Sequence, residues 1–219
     1  PPVVSPVGTR SRSLQIAGSA VFDATEKLVE MARQRASELL EANPADIVLD
    51  TETARFHVAG TPAVSIGWEE IGATSIADGN QLFALSDFTA SGPTFPFGTH
   101  IAVVEIDSET GKVELRRIIA CDDAGVILNP LLVDGQVHGG LAQGISQALF
   151  EEVRYDEVGN PLSTTLLDYL MPSAAEFPPF ERVEMETPSP INPLGAKGIG
   201  ESGTIGSTPA VQNAVVDAV

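Results

Sequence analysis

The sequence predicts an α+β protein in which a mixed or antiparallel sheet packs against helices. Helical periodicity is confined to a few long segments, and short strand candidates fall between them without a regular strand–helix–strand alternation. Of the 219 residues, 43% are hydrophobic and 19% are charged, which excludes a disordered acidic tail and allows one large or two small domains. Because only 5% of the residues are aromatic, we expect an aliphatic core.

The first half of the chain combines one long helix with short strands. Apolar residues recur at helical spacing over residues 21–41, and Asn43-Pro44 ends this helix because a residue before proline avoids the helical region. Residues 65–72 fit either a short helix or the end of a strand. The other elements expected here are a loop over residues 1–19, strands at 47–50 and 55–58, and a long irregular loop at 78–98.

The second half begins with a clear hairpin and ends with a helix. Residues 100–107 and 112–120 flank Ser-Glu-Thr-Gly, a turn with the length and composition that hairpins prefer. Ser207 and Pro209 predict the start of the last helix, through a capping hydroxyl and a first-turn proline. The elements expected between the hairpin and the end of the chain are a helix at 131–152, a turn at 157–161, a strand or an extended lead-in at 164–169, a strand at 182–187, a loop at 188–206 and a helix at 207–219.

Charge and residue usage exclude several classes of function. The formal net charge of −18 argues against nucleic acid and anionic membrane surfaces, because both need clustered cations. Cys121 is the only cysteine, which excludes an internal disulfide and a cysteine-ligated zinc site, and the scattered histidines predict no metal ligands. No apolar run approaches the roughly 20 residues of a membrane span. With no recognisable signal peptide, a cytoplasmic protein is expected.

The two ends of the sequence favour a fragment or a split subunit of a larger protein. The chain opens with Pro1-Pro2 and lacks an initiator methionine, and the last helix reaches Val219 without a C-cap signal. A trimmed mature chain is the alternative.

The strongest functional candidate is the glycine-rich stretch over residues 195–207 (GAKGIGESGTIGS). Its glycines let a ligand approach the backbone, and Lys197 and Glu201 are its only charges. A lone carboxylate in such a loop can act as a general base or acid. A phosphate-binding loop or a plain linker is the alternative. However, no Gly-Lys-Ser/Thr follows at Walker A spacing, and a linker would not lead directly into a capped helix.

The predicted helix at 131–152 contains four glycines, which indicates that it passes very close to another group. Gln136, Gly140, Gln143 and Gln147 fall on one face at helical spacing. Because an amide offers both donors and an acceptor, this face suits a ligand such as a pterin or a nucleobase. Close packing against another helix is the alternative.

Residues 8–19 (GTRSRSLQIAGS) form a third candidate. Two glycines, several hydroxyls and two arginines precede a predicted helix N-terminus, and such a segment can cradle an anion. A plain serine-rich N-terminal arm is the alternative.

Taken in this order, the three segments resemble the molybdenum hydroxylase superfamily, which includes xanthine dehydrogenase and aldehyde oxidoreductase. Residues 121–152 (CDDAGVILNPLLVDGQVHGGLAQGISQALFEE) look like the family's C-terminal molybdopterin-binding region, and residues 195–218 (GAKGIGESGTIGSTPAVQNAVVDA) look like its active-site loop. Within this superfamily, the sequence most resembles carbon monoxide dehydrogenase-like large subunits. The resemblance implies that residues 1–219 belong to the C-terminal molybdopterin-binding domain and form half of it. A subdivision into 1–98 and 99–219 is a further expectation.

By the same resemblance, Glu201 is the glutamate beside the molybdenum. It takes a proton from a metal-bound hydroxyl or water, so that the oxygen can attack an electron-poor carbon. Gln136 matches the glutamine that hydrogen-bonds the cofactor, which in bacterial members is usually molybdopterin cytosine dinucleotide with molybdenum. The segment over residues 11–19 is similar to the loop that holds the pterin and its dinucleotide tail. The residues implied to bind the cofactor are Gln136, Gly18, Ser19, Arg12, Ser13, Lys197 and Gly200.

The implied function is the cofactor-binding and catalytic-base portion of a molybdenum hydroxylase large subunit, which hydroxylates an aldehyde, an N-heterocycle or carbon monoxide with water-derived oxygen. The implied partners are the N-terminal half of the large subunit, iron–sulfur and FAD subunits or domains, and a second copy in a possible homodimer. Without the N-terminal half, we expect the isolated chain to be inactive and to bind no cofactor tightly. The alternative is a non-catalytic cofactor-binding or assembly module of the same fold, although the retention of Glu201 favours an enzyme.

Overall fold

The computed structural model describes residues 11–219, which form two compact units. Gly18–Thr89 is the smaller unit, whereas residues 11–17 and Ala90–Val219 together form the larger one. The described start of the chain therefore shares a unit with the glycine-rich stretch near its end.

The smaller unit joins two helices to a three-stranded antiparallel sheet with the order β1-β2-β3. Helix α1 spans Ser19–Leu39, close to its predicted position. Strands β1 (Ile47–Asp50) and β2 (Arg55–Val58) have their predicted bounds. Strand β3 (Thr61–Gly67) leads directly into helix α2 (Trp68–Ala77), so both interpretations of residues 65–72 hold in part.

The core of the smaller unit draws on every one of these helices and strands. Phe56 is fully buried and meets the Trp68 ring edge-on, with 5.0 Å between the ring centres. This pair closes the β2 side of the core against α2. The buried residues are Ala32, Ala36, Ile47, Phe56, Ile66 and Ile71.

The larger unit is built on a mixed three-stranded sheet. Strands β4 (Gly98–Ile106) and β5 (Val113–Asp123) form the predicted antiparallel hairpin. Strand β6 (Phe180–Met185) pairs parallel to β5 on its other side, with Ile118 opposite Phe180. The antiparallel sheet of one unit and the mixed sheet of the other confirm the predicted α+β class.

Two helices cover this sheet. Helix α3 spans Pro130–Leu149, and Asn129 caps it by accepting the Leu132 N–H at 3.1 Å. Helix α4 spans Ser202–Ala218. The apolar faces of both helices meet β5 in one core, which consists of Leu115, Ile118, Ala120, Val137, Leu141, Ile145 and Val211.

Helices α3 and α4 touch backbone to backbone. A Cβ atom at Gly140 would lie 2.9 Å from the Gly203 Cα atom, which is too close for any side chain. The Thr204 hydroxyl donates to the Gly140 carbonyl at 3.0 Å, and the Thr208 hydroxyl donates to the Gly144 carbonyl at 3.1 Å. Close packing, one of the two interpretations of the glycine helix, therefore accounts for Gly140 and Gly144.

The predicted start of the last helix was wrong. Helix α4 begins at Ser202, and Ser207 lies inside it with its hydroxyl donating to the Gly203 carbonyl at 2.7 Å. The helix also contains Pro209, which costs one backbone hydrogen bond. Packing of Gly203 against α3 extends the helix backwards past a local cap signal, which is only a weak preference when tertiary contacts compete.

The segments outside these elements follow the predictions only in part. No helix or strand lies between Ala77 and Gly98, as expected for the long loop. Residues 164–169 form a turn instead of an extended segment, with the Tyr169 N–H donating to the Thr165 carbonyl at 2.9 Å. Among residues 11–219, no helix combines the length and the apolar character needed to cross a membrane.

Candidate functional site

The glycine loop, residues 195–201, lies against the segment that follows β5. The Lys197 N–H donates to the Ala124 carbonyl at 2.8 Å. Gly125 and Gly195 adopt positive φ angles of 66° and 65°, and a side chain at Gly125 would overlap the Gly195 carbonyl oxygen. Glycine is therefore required at both positions, by the backbone conformation and by the close approach of the two segments.

A buried ion pair anchors this loop. Lys197 Nζ lies 3.1 Å from Asp123 Oδ1 and 4.8 Å from the centre of the Phe97 ring. Asp123 is fully buried, and the same oxygen accepts the N–H groups of Gly125 at 2.7 Å and Thr187 at 3.2 Å. Burial acts to raise the pKa of Asp123, but the hydrogen bonds from Thr187, Gly125 and Lys197 outweigh it and place the pKa below its ordinary value. Asp123 therefore stays ionised and holds the Lys197 ammonium.

The N-terminal arm, residues 11–17, lies against the other side of the glycine loop. A Cβ atom at Gly198 would overlap the Ser11 carbonyl oxygen. One at Gly200 would lie 2.7 Å from Ser11 Oγ and 2.9 Å from Gln136 Oε1. The arm, the start of α3 and the glycine loop, which were three separate candidates in the sequence, thus meet at one place. Residues 8–10 of the first candidate lie outside the described residues.

Glu201 is the residue immediately before α4. Its φ and ψ angles are −112° and −14°, and its side chain does not cap the helix. The side chain is exposed and has no hydrogen bond or ion pair with any residue in the described part of the chain. Both carboxylate oxygens are therefore available to a ligand at the end of the glycine loop.

One face of α3 beside this loop is open. Gln136 is exposed, and Gly135 and Gly139 have nothing within 4 Å of an added Cβ atom, counting residues 11–219 and leaving aside the helix backbone. This face therefore has room for a ligand.

The remaining predicted site residues lie at either end of the π-helical turn Leu14–Gly18. Arg12 and Ser13 are exposed on the arm of the larger unit. Gly18 and Ser19 belong to the smaller unit, where Ser19 opens α1. Ser19 is fully buried, and its hydroxyl has no hydrogen-bond partner among residues 11–219.

Sequence reasoning missed two buried polar groups, Gln15 beside the glycine loop and His100 beside α4. Gln15 is only 4% exposed and bonds to both the arm and the loop. His100 Nε2 lies 3.1 Å from both Asp122 oxygens, and its ring packs on Gly206 of α4, where a Cβ atom would lie 2.6 Å from Cε1. The hairpin register could have indicated the histidine–aspartate pair, because β4 and β5 place these residues near each other. Among residues 11–219, no cluster of three or more His, Cys, Asp or Glu could hold a metal ion.

Comparison with known proteins gives matches over nearly the whole chain. A family model described as a molybdopterin cofactor-binding domain matches residues 6–178 and ends before the glycine loop. The carbon monoxide dehydrogenase large chain of Hydrogenophaga pseudoflava is 39% identical over 213 residues, which are 95% of this chain and 26% of that protein. The nicotine 6-hydroxylase large subunit of Paenarthrobacter nicotinovorans is 38% identical over 216 residues, with the same two coverages of 95% and 26%.

A solved structure shows the same fold. Reconstituted CO dehydrogenase from Oligotropha carboxidovorans matches with a TM-score of 0.87 and 37% identity, over 95% of this chain and 26% of that one. The chain thus spans about a quarter of the length of the relatives that it matches.

Proposed function

The chain belongs to the molybdopterin cofactor-binding domain family, as its sequence resemblance implied, and we propose that it forms the cofactor-binding and catalytic-base portion of a molybdenum hydroxylase large subunit. Its relatives are molybdenum oxidoreductases. The observation that carries the proposal is that the arm, Gln136 and the glycine loop meet directly before the unpartnered carboxylate of Glu201.

The residues around the loop fit a large polar cofactor. The open glycine face of α3 lies beside the Gln136 amide, which offers two donors and an acceptor. On the exposed part of the arm, the Arg12 guanidinium and the Ser13 hydroxyl suit the anionic tail of a dinucleotide. In the larger unit, the residues assigned to cofactor contacts are Gln136, Gly200, Arg12 and Ser13. Gly18 and Ser19 are assigned by the sequence resemblance alone.

Lys197 serves the site in a different way. Its ammonium is bound to Asp123 and lies over the Phe97 ring, so it stabilises the glycine loop and is not directed at the cofactor in this proposal. Its contribution to cofactor binding is the conformation that it gives to the loop backbone.

Glu201 acts as the general base in this proposal. A bound molybdenum cofactor supplies the acceptor for the two electrons that hydroxylation removes from the substrate. Glu201 takes a proton from the water-derived oxygen as that oxygen attacks an electron-poor carbon. The anchored loop keeps the carboxylate of Glu201 in one position. Fixed positioning accounts for much of the rate gain that a catalytic group provides.

The finer features of the proposal follow the resemblance. We assign the cofactor to the cytosine dinucleotide form, and the electron acceptors to iron–sulfur and FAD subunits or domains. The relatives' names, large chain and large subunit, support an assembly with other subunits. We also propose that residues 1–219 pair with an N-terminal half of the same large subunit, that the complete protein forms a homodimer, and that it works in the cytoplasm.

The test uses the assembled large subunit with its partners. Molybdenum per chain is measured by metal analysis, and turnover is followed with carbon monoxide, an aldehyde and an N-heterocycle and an artificial electron acceptor. Glu201→Gln should lower turnover by at least about 10²-fold, because general-base catalysis contributes about that much, while the molybdenum content stays unchanged. Glu157→Gln, in an exposed surface turn, is the matched control and should behave like the wild type.

Two outcomes would contradict different parts of the proposal. Wild-type turnover in Glu201→Gln would show that Glu201 is not the base, and would leave cofactor binding without a catalytic residue as the role of this chain. A wild-type large subunit that contains no molybdenum would contradict cofactor binding itself.

A further inference from the structure

The buried amide of Gln15 connects three separate segments of the larger unit. Oriented to satisfy its neighbours, Nε2 donates to the Ser11 and Arg12 carbonyls at 3.1 and 3.0 Å. Oε1 accepts from the Thr94 hydroxyl at 2.7 Å and from the Gly198 N–H at 2.6 Å. Both donors and both acceptor positions of the amide are therefore used.

Gln15 lies in a π-helical turn, a rare backbone conformation that is frequently found at functional sites. In this turn the Ile16 N–H also donates to the Arg12 carbonyl, at 3.2 Å. The Arg12 carbonyl is thus held by two donors, one from the side chain of Gln15 and one from the backbone. These two bonds hold the backbone of the arm at Arg12, whose side chain is exposed.

The bond from the Gly198 N–H to Gln15 lies where the loop and the arm are in close contact. At this position the loop backbone runs so close to Ser11 that a Cβ atom on Gly198 would overlap the Ser11 carbonyl oxygen. If the Gln15 amide were lost, the Gly198 N–H and two arm carbonyls would lose a buried partner, and the arm and loop would have to separate to reach water.

We infer that Gln15 is the positioning residue that sets the place of the catalytic base relative to the cofactor-binding arm. It acts through Gly198, three residues before Glu201, and through the carbonyl of Arg12. This inference rests on the proposed function, because it gives the arm and the base the roles assigned above. It adds a residue that contacts neither cofactor nor substrate but fixes the spacing between the groups that do.

Two substitutions in the assembled large subunit separate the contacts of Gln15. Gln15→Met fills a similar volume and makes none of the four hydrogen bonds. Gln15→Glu keeps an acceptor for Gly198 and Thr94 but loses both donors to the arm. Gln212→Met, on the exposed side of α4, is the matched control.

Hydrogen exchange followed by mass spectrometry reports on the contacts themselves. In Gln15→Met, peptides covering residues 195–201 and 11–17 should both exchange at least about tenfold faster than in the wild type. In Gln15→Glu, only the arm peptide should exchange faster. Wild-type exchange of both peptides in Gln15→Met would overturn the inference.

The positioning role is tested by turnover per bound molybdenum. In Gln15→Met, kcat per molybdenum should fall about 10- to 100-fold with KM within about twofold, because a misplaced group loses rate more than binding. A purely structural role predicts less molybdenum-loaded protein with wild-type kcat per molybdenum, and that result would overturn the inference. If Gln15→Met does not fold, Gln15→Glu decides in the same way, since its arm is released while its loop is held.

The outcome for the wild type separates the two proposals. A wild-type large subunit without molybdenum overturns the proposed function and the base-positioning role together. A molybdenum-loaded, active wild type whose kcat per molybdenum is insensitive to both Gln15 substitutions overturns this inference alone.

Discussion

Asp123 keeps its charge although water does not reach it. Burial alone would favour the neutral acid, but two backbone N–H groups and the Lys197 ammonium favour the carboxylate. The charge matters for the conformation of the site. The charged Asp123 binds Lys197, and Lys197 belongs to the loop that ends at Glu201. The conformation of the glycine loop therefore depends in part on this ion pair.

Removing that charge should destabilise the protein. Asp123→Asn keeps the shape of the side chain but leaves a buried ammonium without its counter-ion. Breaking a buried pair in this way typically costs about 3–5 kcal/mol in the free energy of unfolding. Urea unfolding at neutral pH measures the difference, with the exposed Asp217→Asn as the control. A loss as small as that of Asp217→Asn would show that the pair contributes nothing.

The same pair should give the stability a defined pH dependence. The pKa of Asp123 in the folded protein lies below its ordinary value of 3.8. Its stabilisation is therefore fully present above the unfolded pKa and is lost as the pH falls through the lower, folded pKa. We expect the difference in unfolding free energy between the wild type and Asp123→Asn to be constant from neutral pH down to about 5 and to shrink below about 4. A difference that stayed constant in acid would contradict this assignment.

At the scale of elements, the contact between α3 and α4 positions both sides of the site. Gln136 lies in the second turn of α3, and Glu201 immediately precedes α4. Because the two helices touch through glycine backbone, this close packing fixes the distance between them at this point. The separation between the amide and the carboxylate is thus set by helix packing as well as by the loop.

A pair of substitutions to alanine tests this contact. At Gly203, a Cβ atom would lie 2.7 Å from the Val137 carbonyl oxygen and 2.9 Å from the Leu141 nitrogen, both of them backbone atoms. Gly203→Ala should therefore lower the free energy of unfolding by about 1–3 kcal/mol through overpacking. Gly139→Ala adds a methyl group in open space and should raise it by up to about 1 kcal/mol, since alanine favours helix. Equal effects in denaturant unfolding would show that α3 and α4 do not pack as described.

The elements that the sequence predicted best are those with local signals. Strands β1 and β2 and the β4–β5 hairpin follow from alternation and turn residues within a few positions. The start of α4 was wrong because the cap signal at Ser207 competes with the packing of Gly203 against α3, which is a tertiary contact. Gln15 was missed for a similar reason, since its partner Gly198 is remote in sequence.

At the scale of the whole molecule, many apolar side chains remain exposed. In the larger unit Phe95 is 73% exposed, and in the smaller unit Phe83 is 58% exposed. Since the chain spans about a quarter of its relatives' length, we expect the rest of a large subunit to cover such side chains. A second exposed apolar group follows residue 160 and consists of Leu162, Leu166, Leu167, Leu170 and Met171.

The isolated chain should therefore associate with itself despite its net charge of −18. Sedimentation at micromolar concentration and binding of a hydrophobic dye measure this exposure. Phe95→Ser should reduce both with little loss of stability, whereas Phe88→Ser should reduce stability because Phe88 is half-buried. A monomer that binds no dye would show that these side chains are covered within the chain.

The parallel pairing of β5 with β6 also has a consequence during synthesis. Strand β5 ends at Asp123, and its partner β6 begins only at Phe180, after α3 and a long connection. A ribosome adds about 5–20 residues per second, so several seconds pass before β6 can emerge. Throughout that time β5 has one unpaired edge, and a nascent chain in this state is open to pairing with its neighbours on the same messenger RNA. Slower translation of the region between the two strands would lengthen that exposure, and a chaperone acting there would protect the yield of folded protein more than one acting later.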